Sequence, residues 1–162
     1  FFRLIFSEFK LGRNLLKMAK LMKQGRVVVL LNGRYAGKKA VVVNTFESGT
    51  KDRPFPFVLV AGVEKAPLKV HKRLSKEKLK KKSTIKPFLK SINMNHVMPT
   101  RYVVSDFDIK PLLQGIDMQE ADGKKQALRA LHLAFNDKLI NIQSEKGKAP
   151  KDLIFLRKPL RF

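Results

Sequence analysis

The chain has 162 residues, with 35 Lys and Arg against 13 Asp and Glu, a formal charge of +22 at neutral pH and no cysteine. A compact domain with that excess repels itself unless a polyanion supplies counter-charge, so nucleic acid is the first partner class to consider. The absence of cysteine excludes disulfides, thiolate nucleophiles and Cys-based zinc sites, and no apolar run approaches the roughly 18 residues that span a bilayer; a soluble protein is expected.

Charge also divides the chain. Residues 1–17 carry a net +3, residues 18–104 a net +16, and residues 105–162 a net +3, which makes the middle segment the binding part. An anionic membrane surface fits less well than nucleic acid. The cations lie mostly on Gly- and Pro-punctuated sequence rather than on one basic amphipathic helix.

In chain order, residues 1–17 are an apolar and basic extension of uncertain status; it superficially resembles a mitochondrial presequence, but a lineage-specific extension or a translated upstream region is the preferred reading. Residues 25–46 then place two β-branched runs, Val27 to Leu31 and Ala40 to Phe46, on either side of a turn holding Gly33, Arg34, Tyr35, Gly37, Lys38 and Lys39. This pattern predicts a hairpin with a cationic, aromatic tip, although an ordinary basic surface turn has the same composition. Further strands are predicted over Phe55 to Val63 and Tyr102 to Val104. Their separators are the turn signals Glu47-Ser48-Gly49-Thr50, Asp52-Arg53-Pro54 and Ala61-Gly62. Short strands at this spacing suggest a closed or half-closed β-barrel, with Pro54 and Pro56 at the start or edge of a strand.

Residues 69–90 hold ten Lys or Arg, among them Lys69, Lys72, Arg73, Lys80, Lys81, Lys82, Lys86 and Lys90, against Glu77 alone. A short helix between Leu74 and Lys82 fits, with Ser75 as its N-cap, and so does a solvated linker. From Ser83 to Tyr102, apolar anchors alternate with polar residues that include Asn93, Asn95, His96 and Arg101. The interleaving predicts a strip pinned to protein on one side, offering donors to phosphates and 2′-hydroxyls on the other.

Residues 105–122 read as an acidic connector, and residues 123–162 as a helix and a tail. Leu128, Leu131, Phe135, Leu139 and Ile142 recur at intervals of 3, 4, 4 and 3, an apolar stripe that needs a partner: its own barrel, a neighbouring protein or an RNA-lined groove. His132 beside the stripe reads as a half-buried core histidine. Gly147 and Pro150 end the helical pattern, after which Phe155, Leu156, Leu160 and Phe162 are expected to anchor an extended tail.

Enzymatic chemistry finds no foothold. His71, His96 and His132 are far apart, no carboxylate motif accompanies them, and neither a phosphate-cradling loop nor a nucleophile elbow occurs.

The segment from Gly25 to Val43 resembles a KOW motif. The blocks Asn32 to Val41, Asp52-Arg53-Pro54, Leu59 to Gly62, Ile85 to Phe88 and Asn93 to Tyr102 follow in the order of the eukaryote-type large-subunit ribosomal protein family L-twenty-seven-e, and the ending Pro159 to Phe162 is similar too. The resemblance is close over residues 18–104 and loose elsewhere. It implies a mainly β fold, a small SH3-like barrel with a long basic extension and a C-terminal helix, in a non-enzymatic constituent of the cytoplasmic large subunit, assembled through the nucleolus. Its implied partners are large-subunit ribosomal RNA and neighbouring ribosomal proteins, with no membrane, no small-molecule substrate and no cofactor beyond the Mg2+ that accompanies folded RNA. Carried over by position, the RNA-facing set is Gly33, Arg34, Tyr35, Gly37, Lys38 and Lys39 at the tip, Arg53 in the next turn, and Asn93, Asn95, His96 and Arg101 on the strip, with the cations of residues 69–90 adding weakly specific affinity. KOW motifs also occur in transcription-elongation factors, so a KOW-domain transcription or assembly factor is the alternative.

Overall fold

The computed structural model describes residues 21–105, 108–116, 120–140 and 150–160. The β-branched runs form β1 (Arg26–Leu30), β2 (Lys39–Phe46) and β3 (Phe57–Lys65); after a basic helix α1 (Lys76–Ser83) come β4 (Lys86–Asn93), a 3-10 turn (Met94–His96) and β5 (Val97–Val103). A second 3-10 turn (Pro111–Leu113) precedes helices α2 (Ala121–Ile140) and α3 (Lys151–Arg157). The strands make one antiparallel sheet in the order β4-β3-β2-β1-β5.

Both faces of this sheet are covered, which is why β1 and β2 read as continuous apolar runs rather than as alternating ones. Val28 and Leu30, Ala40 and Val42, and Val58 and Val60 point into one cluster that also takes Phe88 and Ile92 from β4 and Val97 from β5. The two edge strands therefore share an interior, as in a barrel. Register irregularities between Arg26 and Val28, between Val42 and Asn44 and between Val63 and Lys65 supply the bends that curl the sheet. The alternate residues Val27, Val41, Val43, Ala61 and Val63 face outward and are covered by Leu131, Phe135 and Leu139 of α2 and Leu153 and Leu156 of α3.

The helical stripe thus packs on its own barrel, the first of the three partners its apolar face allowed. Its N-terminal end is corrected by one residue: Ala127 is buried, whereas Leu128 is exposed. The buried row 127, 131, 135, 139 is an i+4 ridge inclined to the helix axis, so it passes through Ala127 instead. Ile142 lies outside the described residues. His132 is half-buried, with a ring nitrogen 3.2 Å from Asn136 Nδ2.

Three other expectations change. The segment after Pro150 is helix α3 rather than an extended tail, Pro150 being its N-cap; proline's fixed φ and missing donor suit a helix start. Ala61-Gly62 is the interior of β3 and not a turn. A Cβ on Gly62 would lie 2.5 Å from Phe88 Cζ and 2.6 Å from the Lys39 carbonyl oxygen, so glycine serves close approach there. The strip from Ser83 to Tyr102 is two strands. Both are edge strands, so Pro87 and Pro99 can sit within them with the lost donor turned away from the sheet.

Candidate nucleic-acid interface

The loop from β1 to β2 is closed at its base by Gly37 N–H donating to the Leu30 carbonyl at 2.7 Å and Leu30 N–H donating to that of Lys38 at 3.0 Å. Gly33 and Gly37 take φ of +86° and +72°, which a side chain disfavours. Among the described residues, no atom beyond its chain neighbours lies within 4 Å of a Cβ built on Gly37, so the backbone angle and not close approach is what glycine supplies there.

The loop folds back over the barrel instead of projecting from it. Leu31 N–H donates to the His96 carbonyl at 3.0 Å, and the Tyr35 ring stacks on Phe88 of β4 with centroids 4.1 Å apart and planes at 8°. Lys90 Nζ sits 5.8 Å from the Tyr35 ring centre and 3.7 Å from where a Gly33 Cβ would be. Tyr35 is therefore a plug on the barrel interior and not a free stacking face at an exposed tip.

Beside this closure lies an open cleft of about 480 Å³. The loop contributes Asn32 and Gly33, the β2–β3 connection contributes Arg53 and Phe55 with Phe57 behind them, and β4 with its 3-10 turn contributes Lys90, Asn93 and His96. Among the described residues, no carboxylate lines it. The register Phe57 to Asn93 brings these segments together across β3 and β4. Phe46, Phe57 and Phe55 form a staircase: Phe46 stacks on Phe57 at 4.6 Å, and Phe55 meets Phe57 edge-on at 6.3 Å and 70°. The Arg53 guanidinium lies 5.5 Å from the Phe57 ring centre. Asn93 Oδ1 accepts from Asn95 N–H at 2.9 Å, capping the 3-10 turn that carries His96.

Five residues expected to face RNA thus converge here: Gly33, Arg53, Lys90, Asn93 and His96. Asn32, Phe55 and Phe57 were not anticipated. The available signal for Phe55 was its place in Pro54-Phe55-Pro56 directly after Arg53, a large aromatic held in a turn. Arg34 and Asn95 are exposed nearby in sequence, and Lys38 is half-buried.

The other expected cations lie elsewhere. Lys69, Lys72, Arg73 and the α1 residues Lys80, Lys81 and Lys82 belong to the connection at the opposite end of the β3–β4 pair, beyond the register pair Lys65 and Lys86. That is roughly 20–25 Å along the strands from the Asn93 end. Helix α1 begins after Ser75 as expected, without a side-chain cap bond, and buries none of its residues. Arg101 lies on β5, donating to the Tyr102 hydroxyl at 3.2 Å.

Two expected contacts are already engaged within the protein. Lys39 is corrected from a tip cation to an internal one: it is 5% exposed, and its Nζ donates to the carbonyls of Phe155 at 2.7 Å and Lys158 at 2.8 Å. The strand alternation that turns Ala40 and Val42 inward turns Lys39 toward α3. Burial, and secondarily the Lys158 ammonium, pushes its pKa below the ordinary lysine value. Lys86 pairs with Glu64 at 3.0 Å across the β3–β4 ladder. Among the described residues, the other ion pair joins Lys125 to Asp122, and neither pair involves the cleft or α1.

The model of the Ribosomal L27e protein family matches residues 27–155. A large ribosomal subunit protein eL27 from Tetrahymena thermophila is 47% identical over 146 residues, 90% of this chain and 100% of that protein. One from Pyrobotrys stellatus is 45% identical over 145 residues, again 90% and 100%. The large ribosomal subunit protein eL27B of Saccharomyces cerevisiae is 39% identical over 121 residues, 75% of this chain and 89% of that protein. With both a family model spanning most of the chain and relatives aligned along their whole length, the chain belongs to the ribosomal L27e protein family.

Proposed function

We propose that this protein is a structural constituent of the cytoplasmic large ribosomal subunit, binding ribosomal RNA and performing no catalytic step. Family membership supplies the setting. The observation that carries the RNA contact is the cleft: two cations, two asparagines, a histidine and an exposed phenylalanine, drawn from three separate segments, with no carboxylate among them. Such a set offers charge to phosphates, amide and imidazole groups to 2′-hydroxyls and base edges, and a ring for stacking. Helix α1, which buries none of its residues, adds a second basic surface suited to phosphates irrespective of sequence.

The test is co-sedimentation of the tagged protein. Stoichiometric recovery in large-subunit particles after a high-salt wash is expected; release into the soluble fraction would favour a transient KOW-domain factor. Nucleotide-resolution crosslinking of the assembled particle should then map the two basic surfaces to separate RNA segments.

A further inference from the structure

We propose that the cleft between the β1–β2 loop and the β3–β4 edge receives an unpaired nucleobase of RNA, stacked on Phe55, with Arg53 and Lys90 on its flanking phosphates. The inference deepens the RNA-binding reading and rests on it. Phe55 is 39% exposed although its neighbour Phe57 is buried. It is also held rigidly. Thr50 and Arg53 exchange backbone hydrogen bonds at 2.9 and 3.0 Å, and Phe55 N–H donates to the Arg53 carbonyl at 2.8 Å. Pro54 and Pro56 fix φ on either side. Gly49 lets the chain cross so closely that a Cβ there would lie 2.5 Å from the Arg53 oxygen and 2.9 Å from the Phe55 nitrogen. A ring presented this way loses little freedom when a second ring stacks on it.

A paired helix cannot use such a surface. Duplex RNA shows phosphates and 2′-hydroxyls on its outside and keeps its base faces stacked within, whereas loops and bulges expose faces that aromatic side chains take up. The cleft volume of about 480 Å³ falls in the range of small-ligand sites. Its polar residues Asn32, Asn93 and His96 suit the edge of a base. Its cations suit the phosphates on either side, and its described lining holds no carboxylate to repel them.

The experiment compares the full-length chain with its Phe55→Leu variant, binding a short single-stranded RNA and a duplex with the same number of phosphates. Loss of one stacked base lowers single-strand affinity by about 5- to 100-fold, with duplex affinity unchanged, because leucine keeps the apolar volume but not the stacking face. Arg53→Gln is the second variant, should Phe55→Leu lower the unfolding midpoint; it too should weaken the single strand more than the duplex. In the wild type, 5-iodouridine in the single strand should crosslink to the peptide containing Phe55. Equal losses for both RNAs, or none, would overturn the nucleobase site while leaving RNA binding intact. Failure of the wild type to bind either RNA would instead remove the underlying reading. Impaired particle incorporation of Phe55→Leu without any change in RNA affinity would assign the cleft to a protein segment, which also overturns the proposal.

Discussion

At the C-terminal end of α3 the last carbonyls lack helical partners and carry the negative end of the helix dipole. The Lys39 ammonium meets this need, with two carbonyl contacts and the Phe155 ring centre 3.6 Å away, while Phe155 also stacks on Tyr102 at 4.4 Å. One side chain thereby joins β2, α3 and, through the ring, β5. Replacing Lys39 by Met removes the donor to the Phe155 and Lys158 carbonyls; Phe155 is half-buried and Lys158 exposed, so water takes up part of the loss and a drop of about 1 kcal/mol is expected. Thermal unfolding should report it, and RNA affinity should change little. Among glycines the order of sensitivity is likewise set by geometry. Gly37→Ala meets open space and bears only the left-handed backbone angle, about 1 kcal/mol. Gly62→Ala drives a Cβ into the Phe88 ring and the Lys39 carbonyl, so its urea midpoint should fall further. A lower midpoint for the Gly37 variant would contradict this ordering.

Each of the elements owes its position to a different kind of information. β1, β2 and β3 are β-branched runs bounded by turn residues, and local pattern suffices for them. β4 has lysine and proline among its apolar residues, and it is a strand because β3 offers it a full ladder from Phe57 to Lys65. Helix α1 is the opposite case. At eight residues with none buried, it is short for a helix to persist on its own propensity. A backbone bond from Leu68 N–H to the Lys82 carbonyl at 2.9 Å, together with Ser83 and Thr84 hydroxyls donating to Lys80, ties down its C-terminal end. Its lysines are interchangeable charges on a surface that supports no core. The triple change of Lys80, Lys81 and Lys82 to Gln should therefore leave the unfolding temperature within about 1 °C. The salt dependence of RNA binding should become shallower by about 2–3 in log–log slope if all three engage phosphates. A large drop in stability would show that α1 is structural after all.

The whole molecule carries +22, with +16 in residues 18–104, and that excess acts in opposite directions on folding and on binding. In isolation the like charges repel across the barrel and α1, so raising salt from low to moderate concentration should increase the unfolding temperature. The same salt shrinks the free-energy gain from releasing counterions on complex formation and should lower RNA affinity, with a slope of magnitude about 6 or more if eight or so cations engage phosphates. A slope below about 2 would mean that charge does not dominate. What the sequence by itself determined is the material: a basic chain without cysteine, three strands, a helix with one apolar stripe, a family resemblance, and a set of residues suited to RNA. These depend on composition and on neighbours within a few positions, where periodicity and turn chemistry operate. The tertiary structure decided which of those residues are available. It turned Lys39 inward, paired Lys86 with Glu64, stacked Tyr35 on Phe88, and set Arg53 and Phe55 beside Asn93 and His96, some 40 residues further along the chain. Strand register and the bends that curl the sheet fix those distances, and both arise from packing between remote segments that no local pattern encodes.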